Sequence, residues 1–307
     1  MAEPSHFARE INALLEQSSL SAEDLVADLN KRGFPLPLDT FNYWRQGYFL
    51  PRSDGAFQLI SIMESICGGH GNRLSDALLY DLSSGASFVP GHYIAPESST
   101  PPTLNTRLTR IADKAIDWDA NLIQKAVRDI GWISADYRKA RFTTTVFAHV
   151  PSVPNPTFVF QLLLTPHEPV PTEDYFYNLS GMTLQKQEIF REDDGTISCV
   201  TQFSVPESVA PGDLHKLSFS WDEESEKPFD MLNERLFPWS VEFYSCKVTF
   251  EGGIPDDIRY VTHKTVDGQE VEVPHDIPMI RDGNTVSVSM KNVANVIGSF
   301  RYSVPTD

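Results

Sequence analysis

The hydrophobic period of this 307-residue chain changes once, and that change limits its fold more than any other feature. Up to residue 82 apolar side chains recur at helical spacing. The sets are Phe7, Ile11, Leu14 and Leu15; Leu25, Val26 and Leu29; Leu59, Ile62, Met63 and Ile66; and Leu74, Leu78, Leu79 and Leu82. Three- and four-residue steps place each set on one helix face. After about residue 140 the period falls to two. The runs RFTTTVFAHV, TFVFQLLL, GTISCVTQFSV, LHKLSFSW, SVEFYSCKVTF, IRYVTHK and TVSVSM are β-branched or aromatic and bounded by turn residues. Helices first and strands afterwards, without alternation, predict an α+β chain of two domains, an all-α bundle followed by an antiparallel β-sandwich of eight to ten strands.

Between the halves lies SSGASFVPGHYIAPESSTPPTLN, rich in Ser, Pro and Gly. Such a composition reads as a linker. The expected organisation is therefore a helical domain over 1–82, a linker over 83–105, and a β domain over 106–307. That last part opens on a short helical segment, since Leu108, Ile111, Ala115, Leu122, Ala126 and Ile130 return to helical spacing. Asp194-Gly195, Asp267-Gly268 and Asp282-Gly283 are expected hairpin turns, and WDEESEK at 221–227 an expected solvated loop. Ser21 before Asp24 marks a helix start, and CGGHGNR at 67–73 a helix stop.

Composition narrows the function classes. With 41% hydrophobic residues the chain can bury a real core. Cys67, Cys199 and Cys246 are odd in number and form no Cys-x-x-Cys pair, which argues against a disulfide framework or a zinc site. Eight histidines show no metal-ligand spacing, no Gly-x-Ser-x-Gly elbow is present, and no paired carboxylates stand out on an apolar strand. We expect no cofactor and no enzymatic activity. No apolar run is long enough to span a bilayer and no charged start precedes one, so a cytoplasmic location is expected.

The stretch LPLDTFNYWRQGYFLPR, residues 36–52, carries a specific expectation. A helix-turn-helix needs apolar positions on two helices, a turn between them, and a polar outer face on the second, which enters the DNA major groove. Leu25 and Leu29 supply the first set, Phe41 and Trp44 the second, and Asp39 a helix N-cap. Thr40, Asn42 and Tyr43 are left to face outward. Asn42 can bond adenine bidentately, while Lys31, Arg32, Arg45 and Arg52 are candidate phosphate clamps. The formal net charge of −17 opposes this, but it is unevenly placed. Residues 1–95 hold six Lys/Arg and eleven Asp/Glu, a net −5; the remainder hold 19 and 31, a net −12. Within residues 30–52, Lys31, Arg32, Arg45 and Arg52 face Asp39 alone, a local +3.

With NKRGFPLPLDTFNYWRQGYFLPR followed by LISIMESICG, the first 82 residues resemble the actinobacterial branch of the Xre/Cro-type helix-turn-helix transcriptional regulators. The Arg32-Gly33 insertion, Trp44-Arg45-x-Gly47 and Pro51 fall in one register. In the β half REDDGTISCVTQF, VAPGDLHKLSFSW, LFPWSVEFYSCKVTF and GSFRYSV follow the order of the β-rich C-terminal half of those regulators. The resemblance implies a sequence-specific regulator that binds double-stranded DNA, with a C-terminal β domain for homodimerisation or for sensing a protein or small-molecule ligand. The chain departs from the pattern where Tyr48, Phe49 and Leu50 replace the usual arginines after the glycine, and where Ala22 opens the second helix in place of Gln. Those aromatics are what the alternative expects, an interaction adaptor that keeps the helical fold without strong DNA binding.

Overall fold

The computed structural model describes residues 5–51, 56–68, 73–85, 122–164, 170–172, 174–191, 197–237, 241–266, 269–273, 277, 279–293 and 296–304. The chain is α+β and divides into two units, residues 1–87 and 88–307. The first unit holds α1 (His6–Ser18), α2 (Ala22–Lys31), α3 (Leu38–Arg45), α4 (Ala56–Ile66) and α5 (Arg73–Gly85). α5 therefore runs three residues into the segment expected as linker.

Each helix starts and stops for a local reason. The Ser5 hydroxyl accepts the Ala8 amide at the start of α1, and the Asp81 carboxylate, from α5, accepts the amides of His6 (3.2 Å) and Phe7 (2.7 Å). Those amides have no partner within α1, so a side chain from another helix satisfies them and fastens α5 to α1. Glu64 of α4 does the same for α5, accepting the Leu74 amide at 2.7 Å. Ser21 caps α2 through the Asp24 amide, as the sequence predicts.

α2 and α3 end in the same way. Gly33 and Gly47 adopt left-handed φ of +84° and +76°, Phe34 donates its amide to the Leu29 carbonyl, and Tyr48 donates to that of Tyr43. Gly33 to Asn30 and Gly47 to Trp44 supply the inner bonds. This is the Schellman arrangement, which requires a residue without a Cβ penalty at the left-handed position. α3 starts differently from the expectation. Its N-cap is Pro37, with no side-chain cap bond, and Asp39 lies inside the first turn, because the helix begins at Leu38, two residues earlier than an Asp39 cap would set. Phe7, Ile11, Leu25, Leu29, Phe41, Trp44, Ile60, Met63, Leu74, Leu78 and Leu79 are buried and form the unit's core.

The second unit contains β1 (Ile123–Ile133), β2 (Lys139–His149), β3 (Thr157–Leu164), β4 (Phe176–Ser180), β5 (Thr183–Arg191), β6 (Ile197–Ser204) and β7 (Leu214–Glu224). It continues with β8 (Met231–Phe237), β9 (Val241–Phe250), β10 (Arg259–Val266), β11 (Gln269–Val273), β12 (Met279–Asp282), β13 (Thr285–Val293) and β14 (Val296–Arg301). A seven-stranded sheet has the order β12-β13-β9-β1-β2-β7-β4, a four-stranded sheet β11-β10-β14-β8, and a three-stranded sheet β3-β6-β5. Pairing is antiparallel except between β1 and β9, which run parallel from Ala126↔Phe243 to Ile133↔Phe250. The unit is therefore mostly rather than wholly antiparallel.

Four expectations are corrected here. The fourteen strands among the described residues exceed the eight to ten expected, because charged strands such as β5 show no apolar alternation. The helical segment expected up to residue 131 is strand β1 from Ile123 onward, buried on both faces through its middle; its earlier part lies outside the described residues. Trp221–Glu224, expected in a loop, end strand β7 with Trp221 buried. The hairpin at Asp282 turns through Gly283 and Asn284, since Asp282 itself pairs with Thr285. Asp194, Gly195, Asp267 and Gly268 lie outside the described residues.

Phe142, Phe160, Phe176, Phe203, Phe219, Trp221, Phe237, Tyr244 and Phe300 belong to one buried cluster drawn from all three sheets. Ring pairs at 4.7 Å (Phe237–Tyr244) and 4.8 Å (Phe160–Phe219) lie in the range aromatic contacts favour. All three cysteines are free thiols, and burial pushes Cys199 up to about 11, so it stays protonated and packs as a small apolar group.

Candidate functional site

The residues expected to meet DNA are placed by α2, α3 and the turns that end them. Lys31 is exposed in the last turn of α2, and Arg32 caps that helix while pairing with Asp28 at 3.9 Å. Thr40 and Asn42 are half-buried on α3, and Tyr43 is exposed. Arg45 is engaged through its Nε and its carbonyl. Its Nε–H donates to Asn12 Oδ1 at 3.0 Å, and Asn12 Nδ2 donates back to the Arg45 carbonyl at 3.1 Å, so the side chain is half-buried against α1. Arg52 lies outside the described residues. Phe41 and Trp44 are core residues, and Trp44 packs its ring 6.4 Å from that of Phe7.

At the end of α3 the structure gathers aromatic rings instead of cations. Tyr43, Tyr48 and Phe49 are 46%, 72% and 47% exposed, yet the Tyr43 ring lies 5.9 Å from Tyr48 and 5.7 Å from Phe49. The Schellman turn explains the first contact: it brings together the residue two beyond the cap and the third from the helix end, here Tyr48 and Tyr43. Gly47 thus sets the position of an exposed aromatic face. Single exposed apolar residues are ordinary, whereas three joined through the Tyr43 ring form a patch.

The sequence reading missed a second polar feature, inside the β unit. Asp129 of β1 is fully buried; it accepts the Thr144 hydroxyl at 2.6 Å and the Tyr244 hydroxyl at 3.1 Å. Arg235 of β8, 7% exposed, places Nη1 3.7 Å from Asp129 Oδ1 and its guanidinium 5.2 Å from the centre of the Phe160 ring. One arginine thereby joins all three sheets. Burial raises Tyr244 well above the ordinary tyrosine value, with Cys246, Tyr260 and Asp129 adding to the effect, so its hydroxyl remains a donor. The carboxylate thus accepts from a hydroxyl and a phenol and faces an arginine whose Nη1 lies beyond hydrogen-bond distance, an arrangement in which each charge depends on the other. Among the described residues no three His, Cys, Asp or Glu side chains converge on a metal position. No described helix is long and apolar enough to cross a membrane.

No protein-family model matches the chain, and no curated protein matches it. Similar solved structures include a candidate protease from Parabacteroides distasonis, 10% identical over 58% of this chain and 40% of that one, with a TM-score of 0.33. Yeast LTA4 hydrolase in complex with bestatin is 11% identical over 61% and 29%, with a TM-score of 0.33. A two-domain M1 zinc metallopeptidase bound to L-arginine is 9% identical over 59% and 42%, with a TM-score of 0.29. The chain spans less than half the length of each. At this level the likeness transfers neither activity nor substrate. The expectation of a sequence-specific DNA-binding regulator is corrected to this extent: these three similar structures are peptidases and a hydrolase, and none is a regulator of that kind.

Proposed function

We propose that this chain is a protein-interaction protein, whose helical unit keeps a helix-turn-helix-type bundle and docks its aromatic face onto another protein. The observation that carries this reading is the contact of the Tyr43 ring with both Tyr48 and Phe49 while all three remain exposed. Tyrosine and phenylalanine supply large contact area for two side-chain torsions each, and rings already packed together lose little further freedom on binding. For the second unit the reading is a β-sandwich, supported by one core cluster that draws on all three sheets.

The test is photo-crosslinking in the host cell from p-benzoylphenylalanine placed at position 48. A discrete protein adduct is expected, and it should disappear when Tyr43 and Phe49 are both changed to Ser with the melting temperature unchanged. Adducts to nucleic acid, or to no macromolecule, would overturn the reading.

A further inference from the structure

The seven-stranded sheet carries an open polar row around an exposed tryptophan. Cross-strand partners share a face of a sheet, and Trp132 on β1 pairs with Arg141 on β2 and with Thr249 on β9. Arg141 in turn pairs with Asp222 on β7, and Thr249 with Thr285 on β13. Four inter-strand steps give this row a length of ~19 Å. Trp132 stands in its middle, 39% exposed.

The polar groups on either side are held in fixed positions. Arg141 donates from Nε to Asp222 Oδ1 at 2.8 Å and from Nη2 to Oδ2 at 3.2 Å, while the Tyr177 hydroxyl donates to Oδ1 at 2.6 Å. On the other side the hydroxyls of Thr249 and Thr285 lie 3.0 Å apart. A guanidinium has five N–H donors and a hydroxyl one donor and two lone pairs, so these groups keep hydrogen-bonding capacity beyond the contacts they make with each other.

We propose that this row binds a neutral, equatorially hydroxylated sugar chain of the β-glucan type. Such a pyranose presents C–H groups on its flat faces and hydroxyls around its edge. A flat aromatic ring accepts the first, and fixed donors and acceptors flanking it accept the second. Charge complementarity selects a neutral chain. Arg141 is matched by Asp222 and Lys139 by Glu224 at 3.1 Å, while Lys247 lies one row away on the same face. Asp282 on β12, opposite Thr285, adds a carboxylate at the far edge, which accepts hydroxyl hydrogens and repels an anionic polymer. The row is independent of the aromatic face on the helical unit.

The test is affinity electrophoresis of the full chain through gels containing hydroxyethyl cellulose, laminarin or heparin. Retardation by hydroxyethyl cellulose or laminarin is expected. Trp132→Ala should weaken it about tenfold or more, Trp132→Phe should keep part of it, and Arg141→Gln should reduce it, all with melting temperatures close to the parent. Absence of retardation by both neutral glucans overturns the proposal, as does retardation by heparin alone or retardation that survives Trp132→Ala. A change in molecular mass by light scattering on Trp132→Ala, without glucan binding in the parent, would assign the row to a protein contact instead and overturns it equally. Should Trp132→Ala unfold the chain, the Phe and Gln variants still decide.

Discussion

Asn12 and Arg45 hold each other across 33 residues of sequence: the arginine Nε–H donates to the Asn12 side chain at 3.0 Å, and the Asn12 amide donates to the Arg45 carbonyl at 3.1 Å. The same amide also donates to the Ala8 carbonyl at 2.9 Å, so α1 and the last turn of α3 are joined through one side chain. Arg45 therefore contributes to packing. Arg45→Ala should cost about 1–2 kcal/mol, because it removes a bond and leaves the Asn12 oxygen without its donor. Asn12→Ala should cost a similar amount, and the double variant less than the sum. Urea unfolding of the four chains, followed at the helical unit's transition, checks this; strict additivity would show that the contact carries no energy.

The position of the aromatic face depends on Gly47, whose φ is +76°. A side chain there meets the steric cost of the left-handed region, on the order of 1–2 kcal/mol. Gly47→Ala should lower the melting temperature of the helical unit and weaken partner capture together. Gly47→Asn should do less of both, since asparagine tolerates that conformation better. Thermal melts beside crosslinking yield from position 48 measure the two effects. Equal stability with lost capture would place the effect on the contact surface alone.

The sequence made α1, α2 and α3 legible because one face of each is wet. Ser21, Leu25 and Leu29 can be read without knowing what packs on them. Seven strands were also legible where one face is apolar and the other polar, as in β9, whose burial alternates along its length. β1 was not. Flanked by β2 and β9 and buried on both faces through its middle, it has no polar alternate, and Leu122, Ala126 and Ile130 fall by chance at four-residue steps. At the other extreme β5, on a sheet edge, is mostly half-buried or exposed, so no apolar stripe marks it. The site residues follow the same rule. Gly47 announces a turn locally, whereas the partner of Arg45 comes from α1. The partners of Asp129 come from β2, β8 and β9, and nothing in the neighbourhood of VRDIG reveals them.

Asp129 and Arg235 form a buried pair whose value depends on both members. Asp129→Asn keeps the shape and hydrogen-bonding capacity but leaves the arginine's charge buried without its counter-charge. Breaking one side of such a pair costs about 3–5 kcal/mol. Replacing both, with Asp129→Leu and Arg235→Met, should recover much of that loss, since two desolvation penalties vanish together. Chemical unfolding of the β unit in the parent, each single variant and the double variant checks this. A double variant as unstable as the sum of the singles would mean that the pair acts through its hydrogen bonds to Thr144 and Tyr244 rather than through its charge.

Acid should weaken one cross-strand contact of the seven-stranded sheet in a defined window. The hydrogen bonds from Arg141 hold the Asp222 carboxyl below its ordinary value of 3.8, with the Tyr177 hydroxyl acting in the same direction against partial burial. A carboxyl whose folded pKa is depressed gives stability that is fully present above the unfolded value and is lost as pH falls through the folded one. The sign is thus a loss on acidification, confined to pH values below about 4. Asp222→Asn should melt lower than the parent at neutral pH, by a modest amount because the pair is exposed to solvent and screened by salt. The gap between the two melting temperatures should stay constant down to the ordinary carboxylate range and then close as Asp222 itself takes up a proton. Paired melts from neutral pH to below 3 at fixed ionic strength measure it. A gap that persists at the acid end would mean that Asp222 acts as a neutral hydrogen-bond partner of Tyr177, with no contribution from its charge.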